Sequence, residues 1–196
     1  MSYTDYNIGV VVQKIEELGL LDDTAIIVTA DHGEDLDLHG LWGHGTVHNT
    51  TISVPLIIRD PKHLPQGKRI TEFAQHTDNL PSILEYFPKQ EHRESKRVAL
   101  LPSMRIAVFD YMPEIRESFD GESLLTLARG ERTGKSEIVV ESGQHRAYIA
   151  PPWKLIWHKG GHKSELFHLQ NDPLELNDRA EEEKAVLKEL SEKLNL

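Results

Sequence analysis

The chain has 196 residues, of which 38% are hydrophobic and 28% charged, a composition typical of a globular protein rather than a disordered one. Its net charge of -10 argues against a nucleic-acid partner, because phosphate binding requires a basic face. No apolar run approaches the ~20 residues that span a bilayer, so we expect a soluble chain without membrane contact. The absence of cysteine excludes disulfides, thiolate metal sites and a cysteine nucleophile within this chain.

The first half of the chain alternates between helical and strand patterns. Apolar residues at helical spacing predict an amphipathic helix over residues 4–18, with Gly19 as its C-cap. Two short apolar runs at 24–30 and 54–59 predict buried strands, and residues 79–87 predict a further helix. This order indicates part of an α/β sheet sandwiched by helices.

The last third of the chain has a different pattern. Four strand candidates separated by turn residues predict a small antiparallel sheet: 138–140, 146–149, 154–157 and 165–169. An apolar stripe from Val186 to Leu194 predicts a C-terminal helix packed on that sheet. Residues 88–120 fit neither pattern and are interpreted as a connecting segment. We therefore predict an α/β part at 1–120 and a small α+β subdomain at 121–196.

The sequence that follows the first predicted strand carries candidate metal ligands. Asp31 and His32 come directly after the apolar run, and ligand sites in open α/β sheets lie outside the carboxyl ends of strands. Gly33 permits the backbone angles of a sharp turn, so both side chains can converge on one cation. A carboxylate with an imidazole suits a divalent metal of intermediate hardness, but two ligands are too few, and others must come from elsewhere.

Four of the eleven histidines lie between residues 32 and 48. His44 stands between two glycines, and its imidazole can donate a hydrogen bond to an anionic substrate oxygen or act as a general acid. His39 and His48 either make similar contacts or only shape the loop. The alternative without chemistry is that Asp-His-Gly is a simple turn and these are surface histidines. Acidic residues at 34–37 are interpreted as solvated or supporting groups.

Several segments, in order along most of the chain, resemble the second half of the sulfatase family in the alkaline phosphatase superfamily. Each segment is weak evidence alone, but their order is specific. The segments are residues 16–24, 31–34, 39–45, 54–58, 76–84, 120–125 and 165–175.

The resemblance implies one divalent cation, usually Ca²⁺, with Mn²⁺ or Zn²⁺ as alternatives. Asp31 and His32 match the later pair of metal ligands in the family. His44 matches the Lys or His that contacts the sulfate of the substrate. The family nucleophile is a formylglycine hydrate, made from Cys or Ser in a Cys/Ser-x-Pro-x-Arg motif, and it acts on a sulfate ester.

Two family features are absent from this sequence: the Cys/Ser-x-Pro-x-Arg motif and the N-terminal acidic pair that completes the metal site. We therefore expect the chain to begin inside the family domain and to be inactive alone. Its exposed strands would favour self-association or pairing with the missing N-terminal half or a companion chain. The resemblance leaves open whether the parent protein is periplasmic, secreted or cytoplasmic.

The substrate class has two alternatives at this point. His32 stands where sulfatases usually have Asn, and that histidine is shared with phosphodiesterases and phosphonate monoester hydrolases of the superfamily. The substrate is therefore a sulfate ester or, as the alternative, a phosphate or phosphonate ester. A third hypothesis is a non-catalytic fragment or subunit.

Overall fold

A computed structural model describes residues 2–86, 119–160 and 163–195, so most of the predicted connecting segment lies outside the described residues. Contacts group the chain into two compact units. One comprises Met1–Gln66, Thr71–Phe73 and Lys135–Leu196, and the other comprises Gly67–Ile70 and Ala74–Gly134. The division predicted at residue 120 stays a prediction. Within the described ranges, no helix has the length and apolarity needed to cross a membrane.

Helix α1 spans Ser2–Glu17, close to the predicted range. Gly19 terminates the helix just beyond its last turn, as expected: its φ is 68°, and its N–H donates to the Glu16 carbonyl over 2.8 Å. None of its residues is buried, and Val11 is 61% exposed. The apolar stripe that made this helix predictable is therefore uncovered among the described residues.

The two strands predicted in the first half form one antiparallel pair. Strand β1 (Ile26–Thr29) pairs with β4 (Leu56–Arg59), and Ile26 lies opposite Arg59. Neither strand contains a fully buried residue, and Ile57 is 62% exposed. The expected cover on both faces is not found in the described residues, because two isolated strands cannot bury each other's faces.

Three short elements lie between those strands and shape the loop that carries the histidines. Strands β2 (Asp35–Leu36) and β3 (Trp42–Gly43) form a small antiparallel pair. Helix α2 (Asn49–Ile52) follows as a single turn. The sequence did not predict any of these three, because each is too short to show a period.

The predicted C-terminal sheet is confirmed as four antiparallel strands in chain order: β5 (Ile138–Ser142), β6 (His145–Ala150), β7 (Trp153–His158) and β8 (Glu165–His168). One face holds Leu155 and Leu166 and packs against Leu190 of helix α5, which spans Lys184–Lys193. Alternate residues on the opposite face, such as Phe167, pack with Val47 of the histidine loop. The sheet is thus covered on both sides.

The second unit joins two of the segments on which the family resemblance rested. Helix α3 spans Asn79–Glu85 and helix α4 spans Leu124–Arg129. Buried Asp78 accepts the Glu122 N–H over 2.9 Å, and buried Ser82 accepts the Leu124 N–H over 2.7 Å. A Cβ at Gly121 would lie 2.0 Å from a backbone oxygen, so these two segments dock through a contact that only glycine permits.

Candidate metal and substrate site

The predicted metal pair lies just beyond the end of β1, with its polar atoms facing each other. The Asp31 side chain is 89% exposed, and its Oδ1 accepts the His32 backbone N–H over 3.0 Å. This hydrogen bond, reinforced by the nearby imidazole, holds the pKa of Asp31 below its ordinary value. Asp31 is therefore ionised at neutral pH and able to bind a cation.

The hydrogen bonds of His32 determine which ring nitrogen is available. Its Nδ1 lies 2.8 Å from the Gly33 carbonyl oxygen, which can only accept, so Nδ1 carries the hydrogen and donates it. In the neutral ring this leaves the lone pair on Nε2, which lies 3.7 Å from Asp31 Oδ2. Metal-binding histidines are commonly oriented in this way, by donating the second ring N–H to a backbone carbonyl.

The spacing of these two atoms fits a shared divalent ion. A separation of 3.7 Å is shorter than two metal–ligand bonds of about 2.0–2.6 Å each, so one ion can contact both atoms. The carboxylate oxygen and imidazole nitrogen suit Ca²⁺, Mn²⁺ or Zn²⁺ to different degrees. Both side chains keep substantial exposure, which leaves room for further ligands.

Gly33 is needed at this site for a reason that differs from the one expected. Its φ is not among the positive values, so the turn does not depend on left-handed backbone. Instead, a Cβ on Gly33 would lie only 2.1 Å from the Thr50 carbonyl oxygen. The Gly33 N–H also donates to the Thr51 carbonyl over 2.7 Å. The glycine permits helix α2 to approach the metal pair at backbone distance.

His44 lies beside the metal pair. Its ring stacks on the His32 ring with centroids 3.9 Å apart and planes inclined by 20°. Its Nδ1 lies 3.2 Å from Glu34 Oε2, so the carboxylate can accept that N–H and leave Nε2 for a ligand. The structure thus brings together Asp31, His32 and His44, and adds Glu34, which the sequence suggested only as a supporting group. Ligand atoms of His32, Glu34 and His44 all lie within 4.8 Å of one another.

His39 and His48 lie in a separate, buried place, where their rings stack with centroids 3.8 Å apart. His39 uses both ring nitrogens inside the protein: Nδ1 pairs with Asp35 and Nε2 lies 2.9 Å from the Leu174 carbonyl. His48 Nδ1 lies 3.1 Å from Glu175 Oε2. These three nitrogens thus have protein partners, and ligand atoms of His39, His48 and Glu175 also lie within 4.8 Å of one another. The expectation that His39 and His48 either contact a ligand or shape the loop stays a prediction.

The sequence analysis missed the residues that hold those histidines in place. Lys154 and Glu175 are both fully buried, and their charged atoms lie 2.5 Å apart. Lys154 stands on the same strand face as Ile156, where a charged residue is a signal of a buried partner. Glu175 belongs to the segment matched at 165–175, but nothing in its spacing indicated contact with His48.

Comparisons with known proteins agree with the family resemblance and with the fold. Residues 1–89 match the Sulfatase family model. A choline-sulfatase of Rhizobium meliloti (strain 1021) is 29% identical over 189 residues, covering 92% of this chain and 32% of that protein. A multifunctional alkaline phosphatase superfamily protein of Trinickia caryophylli is 33% identical over 115 residues, covering 58% of this chain and 22% of that protein.

A solved structure supports the fold independently. The phosphonate monoester hydrolase of Agrobacterium radiobacter superposes with a TM-score of 0.70 over 97% of this chain and 38% of that one, at 24% identity. The fold is of the alkaline phosphatase type. The chain is similar to the sulfatase family, by the family model over residues 1–89 and by sulfatases that it matches over nearly its whole length.

The chain thus spans less than a third of the length of these two curated relatives. Sulfatases generally bind a divalent metal, and the described residues offer ligand groups for one.

Proposed function

We propose that this chain supplies the second part of a sulfatase active site: two ligands of a divalent cation and one histidine that contacts the substrate. The observation that carries the proposal is the distance of 3.7 Å between Asp31 Oδ2 and His32 Nε2, with His32 Nδ1 turned to the Gly33 carbonyl. A turn without function would not require a histidine whose free nitrogen is oriented toward an ionised carboxylate.

The cation that best fits the proposal is Ca²⁺, with Mn²⁺ or Zn²⁺ as alternatives. Ca²⁺ takes six to eight oxygen-rich ligands, so acidic residues from outside this chain would complete its shell. When bound, the cation would polarise sulfate oxygens and stabilise an anionic nucleophile. Asp31 contributes a negative charge, and His32 contributes a neutral donor whose ring is oriented by the Gly33 carbonyl.

We assign His44 to the substrate. Its Nδ1 faces Glu34, so Nε2 is the atom that can donate a hydrogen bond to a sulfate oxygen or protonate the leaving alcohol. Stacking on His32 holds the His44 ring beside the metal pair. A sulfate ester bound there would contact the cation and the imidazole together, which is the arrangement that stabilises developing negative charge.

A phosphate or phosphonate ester is the second candidate substrate. The observation in its favour is the Asp-His pair itself, together with the likeness to a phosphonate monoester hydrolase. The nucleophile, which lies outside this chain in our proposal, separates the two: formylglycine favours sulfate, and an unmodified Ser or Thr favours phosphate.

The proposal requires a protein partner that completes the site. Helix α1 without a buried residue and strand β4 with Ile57 62% exposed offer apolar faces for such a partner. The partner would be an N-terminal half of the sulfatase domain or a companion chain. Without it, the same faces favour self-association.

The test begins with the coding sequence upstream of Met1 and the rest of the genome, searched for a segment with Cys/Ser-x-Pro-x-Arg. The chain is purified alone and together with that segment, and both samples are assayed on an aryl sulfate, an aryl phosphate and an aryl phosphonate ester. We expect no turnover by the chain alone and sulfate hydrolysis by the combination. Loss of activity in Asp31→Asn and retention in Asp37→Asn would support the proposed ligand. Full activity in Asp31→Asn would refute it.

A further inference from the structure

A buried ion pair in the C-terminal sheet reaches the backbone of the metal pair through helix α2. Lys154 on β7 and Glu175 are both essentially inaccessible to solvent, and Lys154 Nζ lies 2.5 Å from Glu175 Oε1. The desolvation of two such charges costs several kcal/mol per ion in a typical protein, so the pair contributes little to stability by itself. The pair does hold the two side chains in one particular geometry.

The other oxygen of Glu175 binds the start of α2. Glu175 Oε2 accepts the Asn49 backbone N–H over 2.8 Å and lies 3.1 Å from His48 Nδ1. Lys154 also donates to the Asn49 side chain over 2.9 Å. The ion pair therefore holds both the backbone and the side chain of the first residue of α2, and it connects the C-terminal sheet to the histidine loop.

Helix α2 in turn holds the backbone of the metal pair. The Thr51 carbonyl accepts the Gly33 N–H over 2.7 Å, and a Cβ on Gly33 would lie 2.1 Å from the neighbouring Thr50 carbonyl oxygen. The Gly33 carbonyl then accepts the hydrogen of His32 Nδ1 over 2.8 Å. A series of hydrogen bonds, joined by the backbone of residues 49–51 and of Gly33, thus connects Lys154 to the ring of His32.

We infer that Glu175 and Lys154 are positioning residues for the proposed metal site: through Asn49 and Gly33 they fix the orientation of the His32 ring. This inference rests on the proposed function, since positioning matters only if His32 binds a cation. Neither residue lies in the group formed by His32, Glu34 and His44, whereas Glu175 belongs with His39 and His48 to a second group of close ligand atoms. At the His32 group, the effect of Glu175 and Lys154 on cation affinity is indirect, as is typical of groups that orient metal ligands.

The experiment uses the double variant Lys154→Met/Glu175→Met, which removes both charges so that no unpaired charge stays buried. Two quantities are measured on the 196-residue chain: amide hydrogen exchange of Gly33, and binding of Mn²⁺ alone by calorimetry. We expect Gly33 exchange to become about tenfold faster relative to the Leu155 amide in the core. Mn²⁺ binding should weaken by about 10-fold to 100-fold.

Two further variants separate positioning from general stability. Lys154→Met/Glu175→Gln keeps an oxygen that can accept the Asn49 N–H, so Gly33 protection should return close to the wild-type level. Leu166→Ala removes volume on the opposite face of the sheet, so it should lower global stability while Gly33 and Leu155 exchange change together.

Unchanged Gly33 protection in the Met/Met variant would overturn the inference, and so would equal loss of protection in the Leu166→Ala control. Absence of Mn²⁺ binding by the wild-type chain combined with its N-terminal segment would instead overturn the assignment of the metal ligands. Because Gly33 exchange needs no metal, it decides the positioning role in either case.

Discussion

The imidazole rings of His32 and His44 lie face to face, with their centroids 3.9 Å apart. Each ring has one nitrogen in contact with an acceptor of the same loop: His32 with the Gly33 carbonyl, His44 with Glu34. The free nitrogens of both rings are thereby left for a cation and a substrate. This contact places the Asp-His-Gly and Gly-His-Gly motifs side by side in one candidate site, and the first two predictions follow from it.

Removal of the proposed ligands should weaken cation binding. We expect Asp31→Asn and His32→Ala each to lower Mn²⁺ affinity of the chain by at least about tenfold, because each removes one ligand atom. Isothermal titration calorimetry measures the change. Asp37→Asn is the matched control, since Asp37 is an exposed acidic residue of the same loop that is not assigned as a ligand. Equal affinity in all four proteins would show that the ion binds elsewhere.

Replacement of His44 should affect catalysis more than cation binding. In the completed enzyme, we expect His44→Ala to lower kcat by about 10²-fold to 10⁴-fold, the usual contribution of a general acid or base. Mn²⁺ affinity should change much less than it does in His32→Ala. His63→Ala, a partly exposed histidine outside the loop, should keep wild-type kcat. A wild-type kcat in His44→Ala would contradict the assignment.

Gly33 should be intolerant of even one methyl group. Gly33→Ala places a Cβ against the Thr50 carbonyl, and we expect a loss of about 1–3 kcal/mol in the free energy of unfolding, as for other overpacked sites. Urea denaturation followed by circular dichroism measures this loss. Gly45→Ala is the control, because a Cβ there meets no atom within 4 Å. Equal destabilisation by the two variants would show that loop flexibility, and not close contact, is the cause.

The pair of Asp35 and His39 should make stability depend on pH near neutrality. Burial alone would lower the pKa of His39, but the hydrogen bonds to Asp35 and the Leu174 carbonyl, together with the charges of Asp35 and Glu175, outweigh burial and raise that pKa above the ordinary value of 6.5. A raised folded-state pKa gives stability that is fully present below pH 6.5 and is lost as pH rises through the folded value.

Histidine C–H resonances measured by NMR against pH should therefore give a midpoint above 6.5 for His39. Asp35→Asn should bring that midpoint down, and the free energy of unfolding of the wild type should fall as pH rises past the midpoint. A midpoint at or below 6.5 in the wild type would contradict the role assigned to Asp35.

The exposed face of β4 should cause self-association. Ile57 is 62% exposed on a strand with one paired neighbour among the described residues, and such strands invite pairing with another chain. We expect Ile57→Lys to shift the chain toward the monomer in sedimentation velocity. Leu80→Lys, on helix α3, serves as the control for a simple change in net charge. If both variants shift the equilibrium equally, charge alone accounts for the effect.

The sequence predicted the long elements better than the site geometry. Helix α1 and the four C-terminal strands have enough residues to show a period, and they were predicted to within a few residues. Strands β2 and β3 have two residues each and show none. The sequence singled out Gly33 for its backbone angles, whereas the structure requires glycine there because of the close contact with Thr50. A contact between residues 33 and 50 belongs to the tertiary structure, and no local sequence pattern indicates it.

The sequence by itself determined that an ionisable carboxylate and an imidazole follow a strand, that histidines are concentrated in one loop, and that these segments occur in the order of the sulfatase family. These are properties of residue type and spacing, which local physical chemistry connects to secondary structure. Only the tertiary structure decided which histidines face solvent. His44 stacks on His32, whereas the His39 and His48 rings stack on each other. His39 contacts Asp35, and His48 contacts Glu175, which lies 127 residues further along the chain. The physical reason is that the burial of a side chain depends on which residues pack over it. When those residues are distant in sequence, the local spacing of apolar and polar residues does not indicate them.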